Sequence, residues 1–137
     1  MEKKCVIVLL KGLPTGLSAN AAGILGITMG KELPELVGEP VMDGDERVHL
    51  GIVENPIPVL GCKEEELREL LEKLETPEYG DVVTADFTQL AQRCKTYWEY
   101  IEKMAVTPGK DLVYTGIALC GERKKVDKLT GSLALLR

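Results

Sequence analysis

Five polar side chains, in two stretches, have types and spacing that could support chemistry. Thr15, Ser18 and Asn20 follow a loop punctuated by glycine and proline, and Asp86 and Thr88 stand where a short strand gives way to a helix. A single carboxylate beside hydroxyl and amide groups can assist attack by water or orient a bound ligand. In an α/β sheet ligands collect beyond strand ends, which is where this loop and this junction should meet. Each residue also has a structural use. Ser18 can cap a helix, Asp86 with Gln89 three residues later makes a capping box, and Thr15 is a loop hydroxyl. Asn20 is the most informative, because asparagine in a first helical turn has poor propensity and a versatile amide. The set is not a catalytic apparatus: general-base character rests on Asp86, with Thr88 or Asn20 left to orient a substrate.

Other patterns narrow the chemistry. His49 is the only histidine, and Cys5, Cys62, Cys94 and Cys120 are too far apart for a zinc or redox pair, so four buried free thiols are expected. Asp43-Gly44-Asp45-Glu46 is acidic but lacks the calcium-loop pattern and reads as a solvated hairpin turn. No metal and no cofactor is expected. Gly16 is followed by Leu17 rather than lysine, so the first loop is not a phosphate loop. A net charge of −5 argues against broad binding to a nucleic-acid backbone, and Arg123-Lys124-Lys125 with Lys128 reads as an ordinary solvated helix start. Tyr97, Trp98 and Tyr100 could stack a ligand, but their helical spacing with Leu90, Ala91, Cys94 and Ile101 reads as core packing.

These residues need a scaffold, and 137 residues with 45% hydrophobic content suffice for one domain, 1–137. Met1-Glu2-Lys3-Lys4 and the apolar run after it are too short for a signal peptide, and no run approaches the ~20 residues of a membrane span, so a cytoplasmic protein is expected. Cys5–Leu10 is a continuous apolar strand, covered on both faces. A helix from Ser18 to about Met29 follows, with Gly23 and Gly26 placed for close approach to a sheet. A hairpin comes next, flanking Asp43–Glu46, and then a short strand at Val59-Leu60. Lys63 to about Glu75 carries a leucine stripe over the sheet. Asp81–Thr84 is a strand, a long helix runs from Asp86 to about Met104, and Asp111–Cys120 is a strand in which Gly116 permits a bulge or close contact. A helical turn at Val126–Thr130 and an extended Ser132–Leu136 close the chain. This order gives an α/β fold, a three-layer α/β/α sandwich on a mixed sheet.

The tail Val126-Asp127-Lys128-Leu129-Thr130-Gly131 with its leucine-rich end resembles the C-terminus of the type II peptidyl-tRNA hydrolases. Val6-Ile7-Val8, Leu13, Gly16 and Ala21-Ala22 match that family's first strand, loop and helix, and Thr88-Gln89 its threonine-glutamine pair. The whole chain is similar to an uncharacterised family sharing that fold, in which an asparagine at the position of Asn20 lies on the loop helix. The resemblance implies a peptidyl-tRNA hydrolase II-like fold and a homodimer. It does not carry the activity across. The family's Gly-Lys-Gly-Lys is Gly16-Leu17-Ser18-Ala19 here, its histidine falls at Gly26, and its aspartate four residues before Thr88 is Thr84. The expectation is therefore a protein that binds a small molecule or peptide through Thr15, Ser18, Asn20, Thr84, Asp86 and Thr88, with tRNA not a partner. The alternatives are a divergent hydrolase using Asp86 and Thr88, and a dimeric regulatory or assembly module.

Overall fold

The computed structural model describes residues 2–137, so Met1 of the basic N-terminal stretch lies outside the described residues. Its centre is β1 (Lys3–Leu10), in which Cys5 to Leu9 are all buried. Because side chains alternate along a strand, this one run serves two cores. Val6 and Val8 meet Ile117, Leu119, Leu67, Leu70, Val126 and Leu129 on one side. Cys5, Ile7 and Leu9 meet Ala21, Leu25, Met29, Phe87, Ala118 and Cys120 on the other. Burying each such aliphatic side chain stabilises by about 1.5–3 kcal/mol, which is why the run lacks the alternation of a half-exposed strand.

The elements follow as α1 (Thr15–Glu32), β2 (Val41–Met42), β3 (Val48–His49), β4 (Val59–Cys62), α2 (Glu64–Leu74), β5 (Val83–Thr88), α3 (Gln89–Arg93), α4 (Tyr97–Ala105), β6 (Tyr114–Glu122), α5 (Arg123–Thr130) and β7 (Ala134–Leu135). Five strands form one sheet in the order β5-β6-β1-β4-β7. It is mixed: β1 runs parallel to β4, while β6 runs antiparallel to both β1 and β5, and β7 antiparallel to β4. Helix α1 covers one face, and α2 and α5 the other. The expected hairpin strands β2 and β3 pair only with each other, outside this sheet.

Several expectations are corrected. Helix α1 begins at Thr15 rather than Ser18, and the Ser18 N–H donates to the Pro14 carbonyl at 3.1 Å, so Ser18 is inside the first turn and caps nothing. Gly23 and Gly26 do not approach the sheet: a Cβ at either would meet nothing within 4 Å. The 3.6-residue period turns Ala21, Leu25 and Met29 inward and leaves Gly23 outside. Close approach occurs instead at Gly116, where a Cβ would lie 2.7 Å from Leu9 Cδ2 and 3.0 Å from Leu25 Cδ1.

The long helix expected from Asp86 is two helices after an extended strand. Asp86 is in β5, and Thr88 is the N-cap of α3, its Oγ1 accepting from the Ala91 N–H at 3.1 Å. The chain is extended at Cys94, and Thr96 caps α4 through the Glu99 N–H at 3.1 Å. Nor is the aromatic cluster core: Tyr97 and Trp98 are 74% and 68% exposed, and α4 has no buried residue. The acidic turn is longer than a two-residue hairpin. Asp43 N–H donates to Arg47 O, Asp43 Oδ1 accepts from the N–H groups of Asp45 and Arg47, and Glu46 takes the positive φ of 63°. Three of the four basic residues of α5 are engaged locally, Arg123 with Glu2, Lys125 with Asp81 and Lys128 with Glu78.

Candidate functional site

β5 ends the sheet on one side, so its outer backbone groups have no strand partner. Along it runs a crevice of about 640 Å3, within the range of small-molecule sites. Its floor is Val83 to Phe87. One wall is the outer side of α1, with Ile24, Thr28 and Glu32. The other is the linker Cys94–Thr96 with Tyr97 and Tyr100 of α4. The break between α3 and α4 makes this shape, because the chain is extended at Cys94 and the Thr96 cap starts a new helix that sets Tyr97 and Tyr100 on the crevice wall.

The strand's alternation divides the floor chemically. Val83, Ala85 and Phe87 pack toward the α1 core, and the intervening Thr84 and Asp86 remain exposed. Asp86 is exposed by area, yet it lies among the walls of the crevice, and desolvation by these surroundings holds its carboxyl above the usual carboxylate range. Neither a cation nor a hydrogen-bond donor among the described residues opposes that effect. Tyr100 and Tyr114 lie close enough for the Asp86 charge to add to burial in pushing both phenols up. Tyr97 and Tyr100 form an edge-to-face pair with centroids 5.5 Å apart and an interplanar angle of 66°. This arrangement can hold an apolar body against aromatic and aliphatic surface while presenting the carboxylates of Asp86 and Glu32 and free backbone groups.

The six residues expected at a site are therefore divided. Thr84 and Asp86 line the crevice. Thr15, Ser18 and Asn20 sit on the first turns of α1 and are not among its lining residues; Asn20 and Thr15 are exposed and Ser18 half-buried. Thr88 is 1% exposed, with its hydroxyl engaged as a cap. Tyr97 and Tyr100, whose spacing reads as core packing, line the crevice instead, together with Glu32 and Lys95, which no sequence pattern singles out. The signal that could have found the tyrosines was Thr96 followed three residues later by Glu99, a helix-start pattern inside what looked like one helix.

The thiols divide similarly. Burial pushes Cys5 up to about 12 and Cys62 to about 11, and Cys120 is also raised. Cys94 is half-buried and lines the crevice. Among the described residues no three His, Cys, Asp or Glu side chains converge as metal ligands, and no helix is long and apolar enough to cross a membrane.

A model of the family described as "Protein of unknown function (DUF2000)" matches residues 3–137. Among solved structures, the chain is similar to a protein of unknown function from Agrobacterium tumefaciens, at 22% identity and a TM-score of 0.88, covering 100% of this chain and 99% of that one. At that identity the likeness shows a shared fold and nothing of activity. No curated protein matches the chain.

Proposed function

The chain belongs to the DUF2000 family, and we propose that it is a single-domain cytoplasmic protein that binds a small molecule or peptide in the crevice along β5. The observation that supports this most is the pairing of an unpartnered carboxylate, Asp86, with an aromatic wall in a cavity of ligand size. We read the framework as peptidyl-tRNA hydrolase II-like without that activity. Leu17 and Ala19 replace the lysines, Gly26 the histidine and Thr84 the aspartate, and a net charge of −5 does not attract tRNA. A divergent hydrolase would have to work from Asp86 alone, since Thr88 is buried under its own helix. Amide chemical-shift mapping with a fragment set tests the binding reading. Shifts centred on residues 83–87 and 97–100, lost in Asp86→Ala, are expected, and shifts centred elsewhere would refute it.

A homodimer is a second proposal, supported by the hairpin arm. Residues 37–53 form an irregular ribbon joined by a bridge between Val37 and Val53 and by the Gly38 N–H to Ile52 O bond. Val48, Leu50 and Ile52 alternate along its returning limb, 61%, 86% and 79% exposed, and Met42 is registered opposite Val48. Val41 is exposed as well. Five such side chains offer on the order of 300–600 Å2 of apolar surface. With their backbone rim, a twofold exchange of arms approaches the ~800 Å2 each partner contributes to a stable interface. Light scattering at micromolar concentration is expected to give a dimer that Leu50→Asp with Ile52→Asp converts to a monomer. A monomeric unmodified protein would end this proposal.

A further inference from the structure

Building on the crevice as a binding site, we propose that its ligand carries a primary ammonium group on an apolar body, the ammonium held at Asp86 and the body against Tyr97 and Tyr100. Charge carries the choice. The ionisable aspartate, glutamate and lysine groups on the lining are Asp86, Glu32 and Lys95, a net excess of one negative charge. Some surface carboxylates, such as Glu2, Asp81 and Glu99, engage a cation, and others, such as Glu39, Glu54 and Glu102, stand unpaired among the described residues on the outer surface, away from the crevice. Asp86 engages none, although it is the desolvated one. A carboxylate removed from bulk water without a partner is unfavourable, and an ammonium ion restores both the charge and the hydrogen bonds it lacks. The tyrosine rings add attraction for the same cation through their electron-rich faces, and the partly exposed Ile24 supplies apolar contact for the rest. An anion would meet two carboxylates and one lysine.

A free amine and the N-terminus of a peptide share this chemistry. A peptide would in addition pair with the open edge of β5. The experiment uses the full chain and four probes: phenethylamine, 3-phenylpropionate, and a short valine-rich peptide amide with its N-terminus either free or acetylated. Amide shifts of residues 83–87 and the rate of Cys94 alkylation report occupancy. Phenethylamine is expected to slow alkylation, with 3-phenylpropionate at least tenfold weaker. Asp86→Asn should weaken the amine at least tenfold and Glu32→Gln less, with amide spectra outside the crevice unchanged. If the free peptide binds more tightly than phenethylamine and acetylation removes the gain, the amine is a peptide terminus; if not, it is a small molecule. Equal binding of the carboxylate, or amine binding that survives Asp86→Asn, overturns the ammonium assignment and leaves the crevice as a site. Should no probe of either charge protect Cys94 or shift residues 83–87, the binding reading falls with it.

Discussion

Helices α1 and α4 invert what their sequences suggest. α1 is rich in alanine and glycine, with a poorly defined apolar face, yet it places Ala21, Leu25 and Met29 in full contact with the sheet. α4 has a clear apolar face in Tyr97, Trp98 and Ile101, and buries none of its nine residues. An amphipathic pattern specifies that a face needs cover, not that the chain's own core provides it. Here the helix with the weaker pattern holds the fold and the one with the stronger pattern borders the crevice.

Truncating one residue on each helix is the sharpest way to break this contrast. Leu25→Ala should cost about 2–5 kcal/mol in urea unfolding, whereas Trp98→Ala should stay within about 0.5 kcal/mol. Equal costs would mean that α4 is core after all. Gly116→Ala comes next, at about 1–3 kcal/mol, because Leu9 and Leu25 must move in a packed interior to admit a methyl group. The two caps should then separate. Thr88→Ala, at the buried end of β5, should lower global stability by about 1 kcal/mol. Thr96→Ala should instead speed amide exchange across residues 97–105 with little global change, since α4 opens without uncovering the core. A global loss from Thr96→Ala would show α4 coupled to the sheet. Gly23→Ala should stabilise by about 0.5–1 kcal/mol, as the added methyl enters open space on a regular helix.

The smallest effect concerns pH. The Asp86 carboxyl is raised by desolvation, so its contribution to stability is fully present below the unfolded carboxylate pKa and is lost as pH rises through the higher folded value. Asp86→Asn should therefore flatten the stability profile in that acidic window and leave the protein slightly more stable at neutral pH. A variant less stable than the parent at pH 7 would reveal a partner for the carboxylate.

Much of the architecture was legible because it rests on patterns within single elements. The apolar run at Cys5–Leu10, the leucines of α2 and the acidic turn between β2 and β3 each state their structure locally. The order of elements and the mixed sheet followed from them. What was not legible depended on which of two local signals prevails. Asp86 with Gln89 and Thr88 with the chain after it both make helix starts, and strand pairing to β6 decided for Thr88 by keeping Asp86 extended. The same choice separated the candidate residues: Thr84 and Asp86 share the crevice, while Asn20 stands on another part of α1 that no sequence spacing could measure against them.

At the root of the arm, a Cβ on Gly51 would lie 1.8 Å from the Gly38 carbonyl oxygen and 3.0 Å from that of Glu39. No rotamer change relieves a collision between a Cβ and a backbone oxygen, so position 51 acts as a filter on drift: the arm can keep its closed root only while that residue stays glycine. A relative carrying any side chain there should have a splayed or rebuilt arm, which makes one letter of an otherwise uninformative loop a diagnostic character for the projecting ribbon.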